Sequence, residues 1–228
     1  MADIAGQTMI ERVYRRAERA HSVDKVIVAT DDSRIADAVQ SFGGEIYLTR
    51  SDHLTGSDRL AEVAESLTCD VIVNVQGDEP LLDPGLIDAV LSRLRTDPSA
   101  NIVTARCAIT VSSEFTNPNI VKVVVTEDDC ALYFSRAPIP HHPREKEIAG
   151  TILGYKHIGL YAYKRTTLLE LGHLTPTVLE EAEQLEQLRA LQYGYRIATI
   201  KTDTHSIGVD TAEDLDEVRR LVSTGVNE

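Results

Sequence analysis

Residues 71–84 read VIVNVQGDEPLLDP, and the fold turns on how this stretch is read. Val71, Ile72, Val73 and Val75 form a short run of apolar, β-branched residues of the kind that fills a strand buried on both faces. The run then meets Gly77, Asp78 and Glu79 and stops at Pro80, which sets two carboxylates at the strand's carboxyl end. In open α/β sheets ligands bind outside the carboxyl ends of the strands. The stretch is therefore either a simple turn or one half of a metal site.

The flanking sequence alternates in the same manner. KVIVAT (25–30) reads as a strand, and DDSRIADAVQSFGG as a helix with glycines at its stop. EIYLT is the next strand, GSDRLAEVAESL a helix opening at Ser57 or Asp58, and a further helix starts at Pro84, where proline suits a first turn. NIVTARCAI is again a strand. Short strands alternating with helices predict βαβ units and a mostly parallel, Rossmann-like α/β sheet. Within the single domain of residues 1–228, the pattern changes over approximately 116–165, where VKVVVT, CALYFSR and KHIGLYAY predict an inserted, more antiparallel lobe. Their connection, APIPHHPREKEIAGTILG, is rich in Pro, His and Gly. VLEEAEQLEQLRALQYG reads as one helix, RIATIKT as a strand and TAEDLDEVRRLV as a closing amphipathic helix.

Composition narrows the function classes. A net charge of −13 argues against a general nucleic-acid binder, which needs a basic surface to neutralise phosphates. An acidic chain still holds a nucleotide where a divalent cation bridges the two. Cys69, Cys107 and Cys130 show no metal-ligand spacing, and three reduced thiols fit a cytoplasmic protein. No apolar run approaches the roughly 20 residues needed to cross a bilayer.

Three acidic groups fall at strand ends: Asp31-Asp32, Asp78-Glu79, and Asp210 after SIGV. Two strand-end aspartates from distant parts of the chain match what Mg²⁺ requires, because magnesium takes one or two carboxylates and fills its shell with phosphate oxygens and water. The competing reading is that each merely caps a helix or makes a turn, the better one for Asp31-Asp32. Gly77 allows close backbone approach beside Asp78, and Gln76 adds an amide. At Asp210, Thr211 and Asp214 have capping-box spacing. The segment TGSDR (55–59) brings amides, the Ser57 hydroxyl, Asp58 and Arg59 to a helix N-terminus; it is either a nucleotide contact or an ordinary cap. Arg136 is either a bidentate carboxylate binder or half of a surface ion pair. His157 and Tyr161 share a strand face, as pocket lining or cross-strand contact. His141-His142 has no third ligand and reads as a solvated loop. Glu186 and Gln187 sit mid-helix, facing a sugar or water.

Taken together, KVIVATDD, FGGEIYLTRSDHLTGSDRLAEV, VIVNVQGDEPLL, NPNIVKVV, ALYFSRAPIP, HIGLYAY, LEEAEQLEQLRALQYG and GVDTAEDL resemble the CMP-KDO synthetases, or 3-deoxy-manno-octulosonate cytidylyltransferases, in order and over nearly the whole chain. The resemblance implies a nucleotide-diphospho-sugar transferase fold and a homodimer. It implies a reaction in which CTP and the acid sugar 3-deoxy-D-manno-octulosonate (KDO) give CMP-KDO and pyrophosphate for lipopolysaccharide assembly. It further implies that Asp78 and Asp210 hold Mg²⁺ with Gln76 beside it, that Ser57, Asp58 and Arg59 lie near the cytidine, and that Arg136, His157, Tyr161, Glu186 and Gln187 contact KDO. From the residues alone three alternatives stay open: another acid-sugar cytidylyltransferase, a metal-dependent glycosyltransferase, and a non-catalytic binding module.

One departure from the family pattern carries an expectation. The family opens on a strand and an R-x-x-S-x-R-x-P-G-K-P-type loop that grips the triphosphate, whereas MADIAGQTMIERVYRR resembles the segment just after it. Low or no turnover is expected of the chain as given. Pyrophosphate release from CTP and KDO, measured with and without restored upstream residues, checks this; equal robust release overturns it.

Overall fold

The computed structural model describes residues 2–53, 55–142, 151–204 and 207–224. A short hairpin, β1 (Asp3–Ile4) and β2 (Gln7–Thr8), leads into α1 (Met9–Glu18). Strand β3 (Val28–Thr30) precedes α2 (Ser33–Ser41), which Asp32 caps and Gly43, at φ 79°, ends. Strand β4 (Ile46–Leu48) and α3 (Gly56–Ser66) follow. Next come β5 (Val71–Asn74), α4 (Pro84–Thr96) with Asp83 as its cap, β6 (Ile102–Ile109) and the short α5 (Ser112–Thr116). The lobe contributes β7 (Lys122–Val125), β8 (Ala131–Ser135) and β9 (Gly154–Lys164). The chain then runs through α6 (Arg165–Leu171), α7 (Val178–Glu183), α8 (Gln187–Gln192), β10 (Ile197–Thr202) and α9 (Ala212–Ser223).

The main sheet has six strands, in the order β10-β6-β9-β7-β8, with β5 also paired to β9. The α/β architecture is the one expected, but the sheet is mixed rather than mostly parallel. Only β10–β6 is a parallel pair in it, and β9 runs antiparallel to β6, β5 and β7. The reason lies in β9, which returns from the lobe through the middle of the sheet. One of its edges takes β6 along its length; the other is shared between β5, at Tyr161–Lys164, and β7, at Tyr155 and Lys156. Alternate residues of β6 and β9 feed two cores. Val103, Ala105, Leu160 and Ala162 pack with α4, while Ile102, Tyr161 and Tyr163 pack with α6 and α8.

Two expectations change. Strand β5 does not lie in the sheet's centre: Val71–Asn74 are all half-buried, because among the described residues only β9 hydrogen-bonds to them. Strands β3 and β4 form a parallel pair of their own, outside the main sheet. The stretch 178–194 is two helices, not one. Gln184 takes a left-handed conformation (φ 54°, ψ 50°), and Arg136 donates to the Glu183 and Gln184 carbonyls at 2.9 and 3.4 Å. In an unbroken helix those carbonyls would accept from the amides four residues on. A tertiary contact has therefore replaced a helical turn.

Gln184 holds a positive φ while its exposed side chain donates only to the Glu181 carbonyl at 2.7 Å, so Gln184→Gly is expected to keep the thermal midpoint within a few degrees. Gln184→Val should lower stability by about 1–2 kcal/mol. Equal stability of the two variants, read by urea unfolding, would remove this account of the break.

Candidate active site

The turn after β5 presents the first group. Asp78 is half-buried, its carbonyl accepts from the Val209 amide at 2.9 Å, and this bond ties the turn to the segment leading into α9. Residues 207–209 are not a strand, so Asp210 sits in extended chain just before the cap of α9. The capping box is present: Thr211 and Asp214 satisfy each other's amides, leaving the Asp210 carboxylate outside the cap. Burial raises the Asp78 pKa above the usual carboxylate range, and the Asp210 charge raises it further. The Glu79 carboxylate lies against Gly208, where an added Cβ would stand 3.6 Å from an oxygen. Gln76 extends over β9 at Gly159, where an added Cβ would meet its Cγ at 3.5 Å.

The strand-end pair Asp31-Asp32 is occupied structurally. Asp32 caps α2 and pairs with Arg34, and Asp31 takes Arg59 at 2.9 Å. The capping alternative holds for Asp32. Asp78 and Asp210 have no ion pair with a basic side chain among the described residues, and these contain no cluster of three or more metal-ligating side chains. Two carboxylates without a cation of their own fit a magnesium ion that completes its shell with ligand oxygens and water.

The second group surrounds the N-terminus of α3. Thr55, rather than Ser57 or Asp58, is its cap. The amides of Gly56 and Ser57 and the Ser57 hydroxyl all donate to the Glu186 carboxylate, at 3.2, 3.2 and 2.8 Å. Glu186 reaches them because the break at Gln184 places it at the cap of α8, not mid-helix, with Gln187 as the helix's first residue. Asp58 faces Arg189, and Arg59 binds the Thr49 hydroxyl as well as Asp31. Ser57, Tyr161, Tyr163, Glu186 and Gln187 line one pocket together. The Tyr161 hydroxyl is buried with no hydrogen-bond partner among the described residues, a vacancy typical of a ligand-contacting group.

His157 joins this pocket to the lobe. Its ring lies 5.1 Å from Phe134 and 5.1 Å from Tyr161, which confirms that the two residues share a face despite a bulge in β9. Its Nε2 lies 2.9 Å from the Thr104 hydroxyl. Arg136 spends three donors on the carbonyls of Glu183, Gln184 and Pro118, leaving two for a ligand. His142 contacts the Leu153 carbonyl and the Phe115 ring, and residues 143–150 of that connection lie outside the described residues.

Sequence reading missed Arg189 and Glu180, a buried pair joined through two hydrogen bonds at 2.8 and 2.6 Å, with Asp58 on the arginine's remaining side. A buried charge pair needs such complete satisfaction to persist. The available signal was an arginine among the leucines of LEQLRAL.

Strand-end carboxylates, a pocket at a helix N-terminus and an α/β sheet define a nucleotidyltransferase fold. The solved structure of a CMP:2-keto-3-deoxy-manno-octonic acid synthetase complexed with CTP matches with a TM-score of 0.91 and 42% identity, over 98% of this chain and 91% of that one. The 4-diphosphocytidyl-2C-methyl-D-erythritol synthase of Anaerococcus prevotii, at 13% identity and a TM-score of 0.64, shares the fold alone. A cytidylyltransferase family profile matches residues 1–199. The 3-deoxy-manno-octulosonate cytidylyltransferases of Syntrophotalea carbinolica and Geobacter sulfurreducens are 50% and 48% identical, over 94% and 96% of this chain and 88% and 90% of theirs. The chain belongs to the 3-deoxy-manno-octulosonate cytidylyltransferase family.

Burial pushes the His157 imidazole down from its ordinary 6.5 to about 3. As pH falls the unfolded chain takes the proton first, so this contribution to stability is whole above pH 6.5 and is lost progressively toward pH 3. Between about pH 7 and pH 4, His157→Gln should therefore show a shallower fall in urea midpoint than the unsubstituted protein. Parallel slopes would show that His157 titrates freely when folded.

Proposed function

We propose that the chain transfers a cytidylyl group from CTP to KDO, giving CMP-KDO and pyrophosphate for lipopolysaccharide biosynthesis. Family membership, at about half identity over nearly the whole chain, is the observation that carries this reading. The anomeric hydroxyl oxygen of KDO forms the new bond to the α-phosphorus. The bond from that phosphorus to the bridging oxygen breaks in line, pyrophosphate leaves with the electron pair, and the hydroxyl proton passes to solvent.

Positioning and charge neutralisation supply most of the rate in transfers at phosphorus. Asp78 and Asp210 would hold Mg²⁺, which neutralises phosphate charge and acidifies the attacking hydroxyl. Burial first, and the Asp210 charge after it, raise the Asp78 pKa, which supports this assignment. Gln76 would lie beside them over Gly159. Ser57, Asp58 and Arg59 would form the cytidine side. The two remaining donors of Arg136 suit the KDO carboxylate, and His157, Tyr161, Glu186 and Gln187 suit its hydroxyls. His157 is neutral at working pH and so acts as a hydrogen-bonding group, not a cation.

A homodimer in the cytoplasm completes the proposal. The exposed Leu132 on the edge strand β8 supports the first part. No helix among the described residues is long and apolar enough to cross a membrane.

Pyrophosphate release from CTP tests the reading, run on this chain and on a version joined to the family's upstream signature. Release that requires both KDO and a divalent cation is expected. Release from neither version, or turnover only with a preformed nucleotide sugar, overturns it. Asp78→Asn and Asp210→Asn should each lower kcat at least about 100-fold, the scale of losing one electrostatic stabiliser.

A further inference from the structure

Lys122, at the start of β7, is wholly buried at 0% exposure. A buried ammonium persists only when its protons are matched. Here the match is complete: Nζ donates to the carbonyls of Asn117, Ile120 and Arg136, at 2.9, 2.6 and 2.6 Å. Three donors meet three main-chain acceptors, from a turn and from the residue after β8.

The contacts continue outward from Arg136. Its amide donates to the Glu183 carboxylate at 2.9 Å, which also accepts from the Ser135 hydroxyl at 2.6 Å and the Tyr133 hydroxyl at 3.3 Å. The Arg136 guanidinium returns to Pro118 in the turn held by Lys122 and grips the Glu183 and Gln184 carbonyls. Two and three residues beyond Gln184, Glu186 and Gln187 enter the pocket. An unbroken chain of hydrogen bonds thus runs from the Lys122 ammonium to the helix break that aims both side chains.

We propose that Lys122 is a positioning residue for the acid-sugar half of the site, acting through Arg136 and the Gln184 break on Glu186 and Gln187. This rests on the functional reading above. Lys122 touches no substrate; its ammonium sets where the turn 117–120 and the Arg136 backbone stand. The charged groups around it are Glu183 and Arg136, of opposite sign.

The test titrates KDO and, separately, CTP into the unsubstituted protein, Lys122→Met, Glu183→Gln and Lys164→Met, by calorimetry. It also follows amide hydrogen exchange. Lys164 likewise donates to a carbonyl, that of Pro98, but is only half-buried, lies at the far end of β9 and serves as control. Lys122→Met should weaken KDO binding about tenfold, a scale that indirect contacts transmit, with CTP affinity unchanged. Exchange should quicken at residues 117–120 and 183–187, and Lys164→Met should do neither. If Lys122→Met does not fold, Glu183→Gln must show the same selective loss. Unchanged KDO binding in a folded variant, or exchange that quickens evenly across the chain, overturns the proposal. Should the unsubstituted protein bind no KDO, the functional reading fails instead, and the exchange pattern alone decides the positioning role.

Discussion

The backbone hydrogen bonds of β9 are the constraint on which the site depends. This strand spans Gly154–Lys164 and, among the described residues, ladders to three others, so it joins β7 and β8 to β5, β6 and β10. Its pairing sets Tyr161 opposite Asn74 of β5 and Thr104 of β6. Gln76, two residues past β5, then falls over Gly159, and His157 stacks between Phe134 and Tyr161. The bulge between the Thr104 and Ala105 pairings bends the strand between His157 and Tyr161. A hydroxyl fits that bend: Thr104 Oγ1 lies 2.8 Å from the Leu160 carbonyl and 3.1 Å from that of Ile158.

Much of this was legible in the sequence because it follows local rules. Proline at the first position of α4, the Thr211–Asp214 capping box and the glycine after α2 obey backbone chemistry that neighbours do not alter. The carboxylate turn after VIVN was legible for the same reason. Strand direction was not, since a period of two residues says which face is buried but nothing about the partner's polarity. Nor was the half-buried state of β5, because burial is set by what lies alongside.

The break at Gln184 shows the limit most clearly. Leu179, Leu185, Leu188 and Leu191 keep helical spacing, so the pattern predicts one helix. What divides it is Arg136, 48 positions earlier, competing for carbonyls. No local signal marks that competition. Its outcome is functional: Glu186 moves from a helix side to a helix start, and its carboxylate meets the amides of α3. Those amides carry the positive end of the α3 dipole, which stabilises a carboxylate there.

Compensation separates the structural carboxylates from the candidate catalytic ones. Asp31, Asp58, Glu180 and Asp129 each face an arginine, and Asp32 caps a helix. Glu186 has the α3 amides and Glu183 has two hydroxyls and an amide. Asp78 has burial and a neighbouring carboxylate, both of which oppose its charge. Folding alone gives no reason to keep two aspartates in that state, because removing either charge would relieve the other. A divalent cation reverses the sign of the local field and makes the same geometry favourable. The acidic turn at QGDEP is thus costly to folding alone, which is the pattern expected of a site kept for chemistry.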